Sequence, residues 1–452
     1  MNIIIVGCGR VGRSIAEQLN TEGHSITVID TNPQELDKIY DTENIMAIQG
    51  NGATLSVLRE AGIEDCDLLI AVTATDELNL YTCLLAKNSG VKSTIARVRD
   101  PQYISDVNVI KDDLKLTLAI NPEFTCAGEI ARLVKYVGVK SIRSFAGGQI
   151  DLIKIVIKEK SALADKRIAD NASLLKGGIR FCFVERDGEL YIPDGDFVLR
   201  VGDEVSFVAP AQAASKLLKT LGVISAKART AMILGGSKIG FYLAKILRDA
   251  GLSVKIFEKN IDRCEELSED LPGVLIINGD AMDEDLLTSE GIDRANVVVC
   301  LMDTDEENML ASLYAKQMNP NAKVVTELGN LKFRSVVDSL PLDSIIRPKH
   351  LTGQHIIRYV RGMQNTIGNN VETMYKISHN RAEALEFRVR EKSAVTGVPL
   401  SRLNFKKDLQ IICIIRAGKI ITPGGNDTIE EGDSVIIVTK HKGLTDLKSI
   451  LK

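Results

Sequence analysis

The sequence predicts an α/β protein: two Rossmann-like, doubly wound parallel-sheet domains, each followed by a small α+β domain. Three observations lead there. Short β-branched runs alternate with helical patterns over 1–138 and again over 227–365, the rhythm of βαβ units with helices on both faces of a parallel sheet. The chain of 452 residues matches itself at an offset of 228–232 positions, so a whole module is present twice. A glycine-rich turn follows the first apolar run of each copy, "VGCGRVG" at 6–12 and "LGGSKIG" at 234–240.

The repeat sets the element order. "MNIIIVGCGRVGRSIAEQLNTEGHSITVID" (1–30) aligns with "RTAMILGGSKIGFYLAKILRDAGLSVKIFE" (229–258), placing Gly12 on Gly240 and Asp30 on Glu258. Further on, Asp76 meets Asp305, Asn79 meets Asn308, and "EKSA" recurs at 159–162 and 391–394. Four segments follow: Rossmann-like domains at 1–138 and 227–365, and small C-terminal domains at 139–226 and 366–452. In the first domain the predicted strands are "IIIV", "SITVI", "IMAIQ", "DLLIAV", "STIARV" and "LTLAI", separated by helices such as "GRSIAEQLNTEG" and "DELNLYTCLLAKNSG". A closing helix begins with proline in its first turn, where the N–H is not needed, at 121–137 and again at 347–363. The small domains read as period-2 strands ("GQIDLIKIVI", "IRFCFVERDGELYI", "GDEVSFVA") with hairpin turns at "RDGEL" and "RAGKI". Each is expected to end in a helix, "AQAASKLLKTLG" and then "KGLTDLKSILK".

Composition narrows the function. Hydrophobic residues at 45% and charged residues at 26% are those of a folded soluble protein. A net charge of −4, 4% aromatics and no Trp argue against nucleic acid, which calls for basic surface and stacking platforms. No apolar run is long enough for a membrane span, and no secretory signal is expected ahead of the first strand. The eight cysteines never fall at CxxC spacing and read as buried free thiols of a reducing cytoplasm. His350 and His355 fall on different helical faces, so no metal site is expected.

The first glycine turn has a mechanical reading. Gly7 permits the tight turn, Gly9 lets the backbone lie against a pyrophosphate, and Gly12 lets the helix pack on the strand. The amides around Gly9, Arg10, Val11 and Gly12 then face the phosphates, aided by the positive end of the helix. Asp30, at the end of strand two, is placed to accept both ribose hydroxyls and repels a 2′-phosphate, favouring NAD(H) or another adenosine nucleotide over NADP. Ligands of such sheets lie beyond the carboxyl ends of the strands, which adds Cys8, Thr31, Asn51, Thr73, Ala74, Thr75, Asp76, Arg97 and Arg99 as candidates. Asp76 reads equally as a helix N-cap, with Thr73 or Thr75 sharing the task. Arg97 and Arg99 read equally as phosphate ligands or as partners of acids at a subunit contact.

In the second copy Ser237 replaces the glycine of closest approach, and its side chain is expected to push a pyrophosphate outward. Gly235, Gly236, Lys238, Ile239, Gly240 and Glu258 still allow a ribose to be held, and the Ser237 hydroxyl can donate to a phosphate. Thr326 is aligned with Arg97, a loss of positive charge. Proton-transfer groups for hydride chemistry are not apparent. His24 is read in a βα corner, and Tyr136 and Lys140, at Tyr-x-x-x-Lys spacing, fall past the last strand. "GGSKIG" is not a Walker A loop. The nucleotide is therefore expected to be sensed without being consumed, and no enzyme is expected. Two other readings stay open: an NAD-dependent oxidoreductase with duplicated Rossmann domains, and a regulator of another ion transporter.

The stretches "IIIVGCGRVGRSIAEQL", "QGNGATLSVLREAGI", "DLLIAVTATDELNLYTCLLAK" and "ARVRDPQY" resemble the RCK/KTN nucleotide-binding domains that regulate potassium transport. The tandem arrangement over the whole chain is similar to the cytosolic subunits of Trk potassium uptake systems. That resemblance implies binding of NAD(H), with ATP or ADP possible. By similarity, Gly7 to Val11, Asp30, Thr73, Ala74 and the Arg97–Arg99 stretch contact nucleotide in copy one, and Gly235 to Ile239 and Glu258 in copy two. It further implies a homo-oligomeric ring of four chains and eight such domains beneath a TrkH-like membrane potassium-translocating subunit. The protein would then be cytoplasmic, held at the inner face of the cell membrane through that partner. The helices at 122–137 and 348–363 are the expected hinges through which a bound ligand biases the ring.

Overall fold

The computed structural model describes residues 1–39, 44–100, 103, 116–135, 138–146, 149–171, 173–175, 177–223, 228–329, 337, 340–364, 371–377, 381–444 and 446–452. The expected domain boundaries at 226/227 and 365/366 lie outside them.

The apolar runs at the start of the chain become the middle of a parallel sheet. β1 (Asn2–Val6), β2 (Ser25–Asp30), β3 (Ile45–Gln49), β4 (Leu68–Ala71), β5 (Ser93–Arg97) and β6 (Leu118–Ile120) lie in the order β3-β2-β1-β4-β5-β6. Every pairing is parallel. β1 is apolar at successive positions because both faces are covered. Ile3 and Ile5 pack on one side with Ile15 and Leu19, and Ile4 and Val6 on the other with Leu58 and Cys83. The helices are α1 (Arg10–Thr21), α2 (Pro33–Asp37), α3 (Leu55–Glu60), α4 (Asp76–Asn88) and the closing α5 (Pro122–Lys135). The strand order reverses between β1 and β4, and that switch point opens a crevice at the carboxyl ends.

A small antiparallel domain follows. β7 (Ser141–Phe145), β8 (Ile150–Val156), β10 (Arg180–Arg186), β11 (Glu189–Tyr191) and β13 (Glu204–Pro210) form a sheet in the order β11-β10-β13-β8-β7. β9 (Lys166–Arg167) pairs with β12 (Val198–Leu199), and α6 (Ala211–Thr220) covers the larger sheet. The predicted hairpin at "RDGEL" is a turn with positive φ at Asp187 and Gly188 (49° and 80°), the twist that matches two right-handed strands.

The second copy repeats the plan. β14 (Thr230–Leu234), β15 (Ser253–Glu258), β16 (Leu275–Asn278), β17 (Val297–Cys300), β18 (Lys323–Glu327) and β19 (Ser344–Ile346) take the order β16-β15-β14-β17-β18-β19. Its helices are α7 (Lys238–Asp249), α8 (Ile261–Asp270), α9 (Glu284–Ser289), α10 (Asp305–Met318) and α11 (Pro348–Gln364). β20 (Val371–Ile377), β21 (Ala382–Arg388), β22 (Leu409–Arg416), β23 (Lys419–Ile421) and β24 (Ser434–Thr439) close the chain as β20-β21-β24-β22-β23. One expectation fails here. "KGLTDLKSILK" forms no α-helix but a single 3-10 turn over Leu447–Ile450. Its buried residues Leu444, Leu447 and Ile450 recur every third position, which suits three residues per turn, and Leu451 then bridges to Phe405.

The two modules interlock. α5 packs on α7 of the second module, with Cys126, Ala127 and Ile130 in one core with Phe241 and Tyr242. α11 packs on α1 of the first, with Ile356, Ile357 and Val360 against Ile15 and Leu19. Each expected hinge helix therefore covers the opposite nucleotide domain. The small domains also share a core, where the Phe145 and Tyr375 rings meet edge-on at 5.0 Å. All eight cysteines are buried and free. Among the described residues no helix is long and apolar enough to cross a membrane.

Candidate nucleotide site at the strand ends

Two glycines of the first turn are fixed by the protein's own packing. A Cβ on Gly7, whose φ is +105°, would stand 2.9 Å from the Val72 carbonyl group. A Cβ on Gly12 would stand 1.8 Å from the Gly7 oxygen, so α1 and the strand turn touch backbone to backbone. Gly9 is different. Its φ of −60° and ψ of −178° suit any residue, and among the described residues no atom lies within 4 Å of where its Cβ would be. Among the described residues nothing requires glycine there, and the open space leaves room for a ligand to approach the backbone. Among the described residues no side chain caps α1, so the amides of its first turn are available to a ligand.

Asp30 holds this turn in place. Its Oδ2 accepts from Cys8 N at 2.6 Å and its Oδ1 from Asn32 N at 2.9 Å. A carboxylate retains acceptor capacity after two such bonds, so ribose binding and loop anchoring are compatible. Cys8 itself is buried, and burial, then the Asp30 charge, push its thiol up to about 11. It is a packing residue. Thr31 is exposed beside Asp30, and Asn51 folds its side chain onto Ala53 N at 3.0 Å.

The strand-four and strand-five ends are tied together by Asn79, which is buried. Its Oδ1 accepts from both Thr73 N and Thr73 Oγ1 at 2.7 Å, and its Nδ2 donates to the Arg97 carbonyl at 2.9 Å. Sequence reasoning aligned Asn79 with Asn308 without assigning it a task; recurrence inside a polar helix start was the available signal. The Arg97 guanidinium donates to the Thr73 carbonyl and that of Arg99 to the Ala74 carbonyl. Burial, then neighbouring Arg99, lowers the Arg97 pKa from its ordinary value. Glu123, in the first turn of α5, faces Arg97, Arg99 and Lys238, and burial raises its carboxyl.

Asp76 is not a helix N-cap. Thr75 occupies the cap position without a side-chain bond, and Asp76 is the buried first residue of α4. Its Oδ2 accepts from Arg99 N at 2.7 Å and Asp100 N at 2.8 Å, so it fastens the exit of β5.

The second copy keeps the frame and changes its contents. Gly235 (φ +111°) and Gly240 are again fixed by close backbone contacts, with a Cβ 2.5 Å from the Leu301 oxygen and 2.6 Å from the Gly235 oxygen. Glu258 takes the part of Asp30, accepting from Gly236 N at 2.9 Å and Asn260 N at 2.8 Å. Ser237 has the φ and ψ of Gly9, −60° and 169°, but its hydroxyl turns onto its own helix and accepts from Gly240 N at 3.3 Å. It caps α7, which engages the hydroxyl as an acceptor and leaves its proton to donate. Lys238 stands at the position of Arg10, and Ile239, at that of Val11, is buried. Arg263 adds a guanidinium over the loop, Nε to the Gly236 carbonyl at 3.0 Å.

The strand register also corrects the alignment of Thr326. Thr326 pairs with Cys300 as Ala96 pairs with Ala71, so the counterpart of Arg97 is Glu327. Gly329 N donates to Asp305 Oδ1 at 2.6 Å, as Arg99 N does to Asp76, which fixes the same register independently. Thr326 is buried and donates to Ser312 Oγ. His24 lies between α1 and β2, the αβ corner away from the ligand end. Lys140 pairs with Glu204, and Tyr136 lies outside the described residues.

The arrangement fits a phosphate-bearing adenosine nucleotide in the first copy: an unobstructed Gly9, first-turn amides, an acid at the ribose position and two arginines at the strand-five end. Among the described residues no group of three or more His, Cys, Asp or Glu could hold a metal.

Two domain families match the chain, the TrkA-N domain over residues 3–122 and 231–348 and the TrkA-C domain over 152–222 and 384–452. It is 31% identical to the Trk system potassium uptake protein TrkA homolog of Archaeoglobus fulgidus, with 100% of both chains covered. It is 29% identical to the Trk system potassium uptake protein TrkA of Vibrio alginolyticus, over 100% of this chain and 99% of that one. The solved structure of the GsuK channel bound to NAD has a TM-score of 0.63 at 16% identity, covering 97% of this chain and 76% of that one, a likeness of fold.

Proposed function

The chain belongs to the TrkA family of Trk potassium uptake proteins, and from that premise we propose that it is a non-catalytic, nucleotide-sensing regulatory subunit of such a system. It binds NAD(H), or ATP or ADP, at the strand ends of its Rossmann-like domains and controls a TrkH-like membrane potassium-translocating subunit. It works in the cytoplasm as a ring of four chains. The observation that carries the reading is Gly9, a glycine in an unstrained conformation with open space around it, at the head of an uncapped helix.

The residues divide the work as follows. The amides of Arg10, Val11 and Gly12 hold a phosphate; Asp30 holds the ribose while anchoring the turn through Cys8 N. Thr73 and Ala74, clamped by Arg97 and Arg99, wall the other side. The bound nucleotide supplies only charge and contacts. It shifts the ring by binding one relative placement of the modules better than another. Support for a non-catalytic role comes from Asp30, Asp76, Asn79, Arg97 and Arg99, whose side chains hold backbone groups.

Calorimetric titration of the full chain with NADH tests this. Wild type binds, and Gly9→Val, which the backbone tolerates, loses at least tenfold in affinity. Equal affinity, or NADH oxidation that turns over with a carbonyl substrate, overturns the reading.

A further inference from the structure

Tyr242 stands on α7, one turn beyond the second glycine loop, yet its hydroxyl bonds within the first module. It donates to the Arg99 carbonyl at 3.0 Å and accepts from Asn121 Nδ2 at 2.8 Å. Asn121 in turn caps α5, its Oδ1 accepting from Phe124 N at 2.7 Å. Arg99 faces the candidate site from its other end, with its guanidinium on the Ala74 carbonyl and its N–H on Asp76. The Val72–Thr73 backbone beside Ala74 is the surface that Gly7 packs against, so the same loop touches the glycine turn. One residue of the first module thus borders the nucleotide crevice and anchors the first helix of the second.

The geometry of Tyr242 makes the contact stiff. Its ring is buried and edge-on to Phe124 at 5.5 Å and Phe241 at 5.3 Å, so the hydroxyl follows the helix. The Arg99 backbone is fastened through its N–H on Asp76 Oδ2, and the slack lies in its side chain. Arg99 Nε and Asp76 Oδ1 stand 3.8 Å apart, an ion pair too long for a hydrogen bond, and both atoms are buried without a hydrogen-bond partner among the described residues. The Arg99 side chain can therefore respond to a ligand, on the same residue whose carbonyl receives the Tyr242 hydroxyl. The interlock at α1 and α11 is built otherwise: Ser14 stands where Tyr242 does, bonded to Gln18 of its own helix, and Arg347 stands where Asn121 does.

We propose that Tyr242 is a positioning residue that transmits occupancy of the first module's nucleotide site to α7 and so to the second module. This rests on the nucleotide reading above. A contiguous chain of contacts from the crevice wall to α7, stiffened by the packed ring of Tyr242, is the physical link such a coupling needs.

Hydrogen exchange of the full chain with and without saturating NADH tests it. In wild type, NADH slows exchange both at residues 7–12 and in α7. In Tyr242→Phe, which keeps the ring and removes the hydroxyl, the slowing at 7–12 persists and that in α7 falls by at least half. Asn121→Ser, which keeps a capping oxygen and removes the amide that donates to both the Tyr242 hydroxyl and the Arg99 carbonyl, has the same direction, and Ser14→Ala has no effect. An α7 response of wild-type size in both variants overturns the proposal, as does a wild-type α7 that ignores NADH while residues 7–12 respond. If residues 7–12 do not respond in wild type, the nucleotide reading itself has failed, and this inference falls with it.

Discussion

Arg97 and Glu327 occupy the same position of two equivalent strands, each at the carboxyl end of the fifth strand of its sheet, and carry opposite charge. The two crevices of one chain therefore present different fields to an anionic ligand. A charge-assisted hydrogen bond is worth about 1.5–3 kcal/mol, roughly ten- to hundredfold in affinity.

Arg97→Glu is accordingly expected to weaken NADH binding at the first site by about tenfold or more, and to do so less at high salt. Isothermal titration at two ionic strengths checks it.

Gly9→Ser and Ser237→Gly exchange the loops. Because Gly9 has ordinary backbone angles and open surroundings, Gly9→Ser should unfold at the wild-type temperature within a degree or two while losing affinity for NADH. Ser237→Gly gives up a cap hydrogen bond, and glycine at a cap position costs only a few tenths of a kcal/mol. Thermal melts and titrations of both variants separate the two effects.

Alanine distinguishes the packed glycines from Gly9. Gly12→Ala drives a Cβ to 1.8 Å from the Gly7 oxygen, against 2.6 Å for Gly240→Ala onto the Gly235 oxygen. Overpacking of backbone against backbone should cost Gly12→Ala about 3 kcal/mol, and Gly240→Ala about half as much. Urea midpoints give the ranking.

Each small domain carries a bidentate pair between a partly exposed arginine and a buried aspartate. Arg186 clasps Asp203 at 2.7 and 2.8 Å, and Arg416 clasps Asp433 at 2.9 Å through both nitrogens. Both carboxylates are buried and also hold backbone, Asp203 the Arg200 N–H and Asp433 the Glu430 N–H. Asp203→Asn and Asp433→Asn should each destabilise by about 1–3 kcal/mol, since a buried acceptor oxygen becomes an amide donor facing other donors, and the loss is smaller at Asp433 because Arg416 keeps Glu430. Denaturant unfolding measures it.

Lys323 offers a pH test. Its ammonium is fully buried between the Val139 carbonyl, Ser344 Oγ and Asp343, and burial lowers its pKa from 10.5, with Asp343 opposing. The unfolded chain then binds the proton more tightly than the folded one between the lowered value and 10.5, so this lysine makes stability rise with pH across that window and fall as pH drops through it. Lys323→Met should remove that part of the slope in melting temperature recorded up to pH 10.5.

Much of the frame was legible in the sequence. The strands at 2–6, 25–30 and 45–49 follow from β-branched runs, and the glycine spacing carries its own packing logic. What escaped depended on long-range partners. Asp76 reads as a cap because its true partners, Arg99 N and Asp100 N, lie a strand away. Thr326 aligns with Arg97 in the sequence because Asp76 and Asp305 are 229 positions apart, while the strand register separates Arg97 and Glu327 by 230. One added residue before β18 leaves no trace in either strand's pattern. Nor does an apolar stripe on α5 say which helix will cover it.

That covering has a corollary for how the two halves differ. Two identical modules trading their closing helices would make a symmetric pair, in which any altered residue appears on both sides at once. Joined in one polypeptide, the halves are released from that equality. A serine can enter one crevice while glycine stays in the other, and a tyrosine can bridge one seam and not its twin. Tethering makes a lopsided device out of a two-fold one.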